Sequence, residues 1–364
     1  MISFGMTEEQ ELIRDAMREF AADAIRPLGR ECDETSSIPD DLLQTLWDLG
    51  LTSTQIPTEY GGGGEARAAV TNAIVLEELA YGDAALAVAA LVPSQFANAI
   101  LDHGTDDQKQ RFLPMFCGPS FHTASLAIVE PGPLGEPLRP RTVAEPKDGG
   151  FVISGSKSCV IFGHTASHFL VFARNDDHVD AFIVGRDAAG LTISEPELNM
   201  GMKGLTTVSL ELERVPVSSA DQLGGVDGAD LVEIVNNSRV AQTAVLLGLS
   251  RAVLDYCVPY SKDRIAFDEP IAKKQSIAFR LAEMHIECEA MRNLVWQAAS
   301  FLENGRDATK QSRFARTYVN EKAMWIADNG IQVLGGHGFI REHPVEMWFR
   351  HARTLSVLEG AAAV

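Results

Sequence analysis

The sequence predicts an α+β multidomain protein: an N-terminal α-helical domain, a middle antiparallel β-sheet or β-barrel domain, and a C-terminal four-helix bundle. Three observations lead there. The 364 residues exceed one ordinary core, so two or three domains are expected. Helical periodicity gives way near Thr123 to short β-rich runs and returns from about Asp230. The helical runs beyond Asp230 reach or exceed about 25 residues with brief joints, which indicates a bundle, often with an oligomer face. The boundaries fall at 1–122, 123–226 and 227–364.

Thr7-Glu8-Glu9-Gln10 is a capping-box pattern, and Leu12, Ile13, Ala16, Met17, Phe20 and Ala24 follow at helical spacing until Pro27 stops the run. Further helices are expected over 40–49, 69–80 and 84–103. Tyr60 and the run Gly61 to Gly64 read as a plain turn: no strand precedes them and no Gly-Lys-Ser/Thr follows, so they are not a phosphate cradle. Short strands are expected over 151–155, 169–172, 181–184 and 208–213, with no βαβ rhythm. Long helices follow over 231–262, 271–304 and 307–334, with a shorter one after Pro344. Their Met, Trp and Leu positions read as core.

Hydrophobic residues make up 46% and charged residues 22%, as in a soluble globular protein. No uninterrupted apolar run approaches the roughly 20 residues of a membrane span, and the first residues lack a secretory pattern. Cys32, Cys117, Cys159, Cys257 and Cys288 are widely spaced without a metal-site pattern, which fits reduced thiols in the cytoplasm. A formal charge of −19 opposes nucleic acids and anionic membranes, so a phosphate-bearing ligand needs a local basic site.

Several local words occur in a specific order. Leu49-Gly50-Leu51 precedes Ile56-Pro57-Thr58-Glu59-Tyr60-Gly61-Gly62, then Glu77-Glu78-Leu79-Ala80 and Gly104-Thr105-Asp106-Asp107-Gln108-Lys109. Later come Asp263-Arg264-Ile265-Ala266-Phe267, Pro270-Ile271, Gln275, Ala282-Glu283-Met284 and Gln332-Val333-Leu334-Gly335-Gly336-His337-Gly338-Phe339. Across nearly the whole chain this order resembles acyl-CoA dehydrogenases. The resemblance implies an α,β-dehydrogenation of an acyl-CoA thioester with hydride transfer to FAD, and an acceptor like electron-transfer flavoprotein. It also implies a homotetramer, or a heterotetramer with a second dehydrogenase subunit, in which each FAD lies at a subunit interface.

By the same resemblance Glu359, in Val357-Leu358-Glu359-Gly360-Ala361, is the candidate general base. The family's other location for that base is Ser238 here, which cannot serve as a carboxylate. Arg264 matches the arginine that meets the flavin pyrophosphate across the interface, with a surface ion pair to Asp263 or Glu269 as its plain alternative. Phe267 would lie near the adenine or else be a core aromatic. Gln275 and Gln332, Val333, Leu334, Gly335 and Gly336 match other partner-side contacts. Arg239 and Gly360 are candidates for the substrate pocket, Arg239 equally for a buried salt bridge.

The middle domain departs from the family's pattern. Its first flavin word reads Val129-Glu130-Pro131-Gly132-Pro133-Leu134-Gly135-Glu136-Pro137, where Val129 replaces a ring-bonding threonine. In the second, Cys159 replaces the tryptophan that covers the ring and Ile161 replaces a hydroxyl-bearing residue; Ala361 replaces the threonine after Glu359-Gly360. Each lost hydrogen bond to a buried polar ring costs about 1–3 kcal/mol, and lost aromatic cover about 0.5–1.5 kcal/mol. Two readings follow. One is an active FAD-dependent acyl-CoA dehydrogenase based on Glu359. The other is a non-catalytic or flavin-sharing partner subunit that contributes interface contacts to a partner's FAD.

Overall fold

Thr7 opens the first helix as its spacing requires. Its hydroxyl accepts from the Gln10 amide at 3.2 Å, and the Gln10 side chain accepts from the Thr7 amide at 3.0 Å. The computed structural model describes residues 5–132 and 136–364; Pro133, Leu134 and Gly135 of the altered flavin word lie outside the described residues, as do residues 1–4.

Helix α1 (Glu8–Phe20) does not end at Pro27. A π-helical turn, Ala21–Ile25, leads straight into α2 (Arg26–Thr35), and Pro27 sits in the first turn of that helix, where no amide hydrogen is needed. Helices α3 (Asp40–Trp47), α4 (Ala69–Gly82), α5 (Ala84–His103) and α6 (Asp106–Phe112) complete the first part. Asp83 caps α5 by accepting from the Ala85 and Leu86 amides at 2.9 and 3.1 Å. By length and composition α5 could cross a membrane, yet it is a core helix, with 94% of its most apolar window buried. The glycine run is a closed turn: the Gly63 and Gly64 amides donate to the Ser53 and Ile56 carbonyls at 3.0 and 2.9 Å. Those amides are engaged, so they cannot cradle a phosphate.

The middle part holds β1 (Ser125–Ala127), β2 (Val143–Lys147), β3 (Gly150–Ile161), β4 (His168–Asn175), β5 (His178–Gly185), β6 (Leu191–Ile193) and β7 (Thr207–Ser218). They form one sheet in the order β1-β4-β2-β3-β7-β6, with β5 paired to β4. Most pairings are antiparallel, but β1 and β2 each run parallel to β4, so the sheet is mixed. The parallel pairs join strands distant in sequence, which local alternation does not reveal. Within β3 the register shifts between Lys157 and Val160, and Cys159 adopts φ +55° there.

Helix α7 (Leu231–Asp263) begins the bundle, followed by a hairpin of β8 (Ile265–Ala266) and β9 (Glu269–Pro270). Helices α8 (Gln275–Glu303), α9 (Thr309–Leu334) and α10 (Val345–Leu355) complete it. A tight 3-10 turn, Ile271–Lys273, holds the stretch that the periodicity had assigned to the start of α8.

One buried charge network ties the two helical parts together, and a buried pair braces the middle part. Glu77 and Glu78 on α4 are 3% and 2% exposed. Arg251 on α7 lies 2.7 Å from both, Arg292 on α8 lies 2.9 Å from Glu77, and Arg18 on α1 lies 3.0 Å from Glu78. Close approach of α4 to α7 depends on Gly248, where a Cβ would stand 2.1 Å from the Glu77 carbonyl oxygen. In the middle part, buried Lys157 pairs with Glu130 at 2.9 Å. Burial alone would raise the Glu130 carboxyl, but the Lys157 charge and hydrogen bonds from Thr142 outweigh it and hold it at about 2.

A depressed carboxyl stabilises the fold above its ordinary value near 4.5, and that stability disappears as pH falls toward about 2. Acid unfolding followed by circular dichroism should therefore show a loss of stability across this window. Lys157→Met strands the Glu130 carboxylate and should cost about 3–5 kcal/mol at neutral pH in denaturant titrations. A cost below about 1 kcal/mol would show that Glu130 finds solvent or another partner.

Candidate active site

Glu359 lies in the turn after α10, and that turn is fixed from α7. The Gln242 side-chain amide donates to the Leu358 carbonyl at 2.9 Å and to the Leu355 carbonyl, while the Gly360 amide donates to the Ser238 hydroxyl at 3.0 Å. Gly360 has φ +69°, a left-handed conformation that glycine adopts without strain. Ser238, at the family's alternative base position, thus acts as an anchor for the loop that carries Glu359.

The Glu359 side chain is 8% exposed and both of its oxygens are engaged. Oε1 lies 3.2 Å from Arg239 on α7, and Oε2 lies 2.9 Å from Arg316 on α9. Arg239 is therefore the partner of Glu359 and forms the buried salt bridge that was one of its two expected roles. Arg316 also donates to the Gln242 side-chain oxygen, which extends the cluster to a chain of four polar groups, Arg239–Glu359–Arg316–Gln242. Burial lowers the Arg316 guanidinium from its usual range, Glu359 opposes that, and Arg239 adds to it. Withdrawal of either guanidinium would free acceptor capacity on Glu359.

Residues 361–364 are buried beyond this turn. A Cβ on Gly360 would stand 3.2 Å from Leu126 Cβ and Ile128 Cδ1, so the segment rests directly on β1 and the residue after it. Of the three altered flavin-word positions, Cys159 and Ile161 lie on β3 and Val129 lies two residues past β1. Ser158 donates to the Val129 carbonyl at 2.9 Å, and the Ile161 carbonyl accepts from the Ser125 hydroxyl at 2.6 Å. Ile161 itself is buried, and burial pushes the Cys159 thiol up, as does nearby Glu197. The side chains of Val129, Cys159 and Ile161 offer neither a hydroxyl nor an indole to a ring on this face.

The remaining candidates gather at the opposite end of the bundle. Arg264 follows α7, Gln275 opens α8, and Gln332, Val333 and Leu334 close α9, followed by Gly335 and Gly336. A cavity of about 450 Å³ lies here, lined by Arg264, Tyr256, Tyr260, His337 and His343. Glu269 is paired with Lys274 at 2.6 Å, and among the described residues the Arg264 guanidinium has no ion pair. Gly335 and Gly336 have open space at their missing Cβ positions. Val333 and Leu334 are buried, so only their backbone can serve a ligand. Phe267 is 88% exposed at the tip of the β8–β9 hairpin, where its φ of +55° and the +66° of Asp268 match a tight hairpin turn. It is not a core aromatic.

Arg316 and Gln242 were not singled out from the sequence. Arg316 adjoins Ala315 and follows the helical repeat Ser312, Ala315, Val319 that faces the core. A cation beside such a stripe is the signal that points to a buried partner.

Comparison with known proteins accounts for the whole arrangement. Residues 7–118, 125–215 and 229–364 match the N-terminal, middle and C-terminal domains of acyl-CoA dehydrogenases. The chain is 31% identical to a 3-(aryl)acrylate reductase of Clostridium sporogenes, over 98% of this chain and 96% of that one. It is 30% identical to the short/branched chain specific acyl-CoA dehydrogenase of Bos taurus mitochondria, over 98% and 84%. The solved structure of butyryl-CoA dehydrogenase from Megasphaera elsdenii superimposes with a TM-score of 0.88 at 28% identity, covering 99% of this chain and 96% of that one. With all three domains matched in order, the chain belongs to the acyl-CoA dehydrogenase family.

Proposed function

We propose that this protein catalyses the α,β-dehydrogenation of an acyl-CoA thioester, with Glu359 as general base. The observation that carries the reading is a buried carboxylate held at the meeting of β1, α7 and α9, in a turn that two separate side chains of α7 fix in place. A thioester α-proton is weakly acidic, so its removal needs a carboxylate shielded from water and placed at the carbon. Withdrawal of Arg316 from Oε2 would expose one oxygen for that proton, while Arg239 keeps the carboxylate oriented through Oε1.

FAD is the cofactor of the family, and when bound it supplies the two-electron acceptor for the β-hydrogen. The chain fits it at the bundle end. A free guanidinium beside an open glycine loop suits a pyrophosphate, which accepts paired hydrogen bonds and tolerates close backbone approach. Arg264, Gln275 and the Gln332 to Gly336 segment would hold that end, and the exposed Phe267 would flank it.

Arg264 and Arg239 lie 25 positions apart on and just past one helix, which separates them by roughly 38 Å at about 1.5 Å per residue. One subunit's Arg264 therefore cannot serve the flavin beside its own Glu359. This supports an oligomer, a homotetramer or a heterotetramer, in which each flavin site combines Glu359 of one subunit with Arg264 of another. A non-catalytic partner role is not favoured, because Glu359 is retained in an organised site and the full-length relatives include dehydrogenases of several acyl-CoA esters. An acceptor like electron-transfer flavoprotein would reoxidise the enzyme. All five cysteines are free, which supports a reducing, cytoplasmic setting.

Glu359→Gln should lower acyl-CoA-dependent dye reduction by at least about a hundredfold while the purified protein keeps its flavin; undiminished turnover would reject Glu359 as the base. A mixing experiment tests the shared site. Glu359→Gln and Arg264→Ala oligomers, each inactive, should regain about a quarter of wild-type activity after dissociation and random reassembly, since half the mixed pairs' sites are intact. No recovery would mean that each subunit completes its own site.

A further inference from the structure

Helix α5 is apolar along most of its length, yet one stripe is not. Gln95, Asn98 and Asp102 recur at helical spacing and line a small cavity of ≈ 10 Å³ against α7. Asn237 and Ser238 face them, and Ala362 and Ala363 close a further side. Gln95 is 3% exposed, and among the described residues neither its amide nitrogen nor its oxygen has a hydrogen-bond partner. The Asn237 side-chain oxygen, in a residue 6% exposed, is unpartnered too. Leaving such groups unpaired forfeits their hydration without compensation, and leucine would pack the same helix face without that cost. The cavity holds about one water at most.

This cavity adjoins the candidate active site: a Cβ on Gly360 would stand 3.4 Å from the Gln95 side-chain oxygen. Ser238 both lines it and anchors Gly360, the residue next to Glu359. An acyl group whose α-carbon meets Glu359 extends into it when Ala362 and Ala363 give way. We propose that the cavity is the subsite for the distal acyl group, and that it selects an acyl-CoA carrying a neutral hydrogen-bonding group, such as a hydroxyl, over a plain alkyl chain. The Gln95 amide offers both a donor and an acceptor, and the Asn237 oxygen a second acceptor. A carboxylate is disfavoured: no lysine or arginine lines the cavity, His103 in its wall already faces Glu233 at 3.7 Å, and the charge of Asp102 is matched by Arg67 at 2.6 Å. The inference rests on the acyl-CoA dehydrogenase reading of Glu359.

The test uses the FAD-loaded oligomer and matched pairs of thioesters: butanoyl-, pentanoyl- and hexanoyl-CoA, their ω-hydroxy counterparts, and glutaryl-CoA. At the best chain length the hydroxylated ester should be favoured over its plain partner by about tenfold or more, both in kcat/KM and in calorimetric affinity, with glutaryl-CoA the weakest. Gln95→Leu should bring that ratio close to one and raise the thermal midpoint of the free protein, because it removes an unpartnered buried amide. Asn237→Leu should move the ratio the same way and guards against a folding defect in the first variant. Equal or better use of the plain esters, or a preference that neither substitution changes, overturns the proposal and leaves the amides as a water site. If no ester is bound or oxidised, the dehydrogenase reading itself falls, and the subsite with it.

Discussion

The arrangement depends first on the burial of Glu77 and Glu78 against Arg18, Arg251 and Arg292. Two adjacent carboxylates on α4 leave water only because three guanidiniums from α1, α7 and α8 meet them. Such a network adds little net stability compared with apolar packing, but removing one member strands a buried charge. It therefore acts as a register device. With Gly248 admitting the α4 backbone, α7 can seat in one position against α4, and α5 follows α4 with only Asp83 between them. The placement of Gln95 opposite Asn237 and Ser238 is set at that junction.

The second charge network, at Glu359, follows the same electrostatics with a different outcome. Here one carboxylate faces two arginines, and its loop is held by backbone bonds to Gln242 and Ser238. Excess positive charge around a single acid leaves one guanidinium free to engage another anion or to move without stranding the carboxylate. Paired contacts to Arg239 and Arg316 thus hold Glu359 in place while leaving either guanidinium able to withdraw. A structural ion pair on a helix surface would lack that second partner.

Features fixed by neighbours in sequence were the legible ones. The Thr7 capping box, the bounds of α5 and the closed glycine turn all follow from contacts within a few residues. Pro27 misled because a proline stops a helix in its interior but suits a first turn, and only the π-helical turn before it shows which applies. The parallel pairing of β1 with β4 joins residues 125–127 to 169–171, beyond the reach of any local pattern. Glu359 was legible from the word that contains it, whereas Arg316 sits 43 positions earlier on another helix and no spacing links the two. Phe267 was ambiguous for a related reason: an aromatic beside a helix reads as core until the hairpin turns it outward.

The burial of residues 361–364 against β1 changes what affinity can mean at this site. Three alanine methyls and a valine already occupy that space. In the proposed subsite an arriving alkyl chain would exchange one apolar contact for another instead of leaving water for an empty cleft, so most of its usual gain of about 25 cal/mol per Å² would cancel. Discrimination by chain length is weak under such an exchange. Groups that the alanines cannot imitate then dominate the difference between ligands.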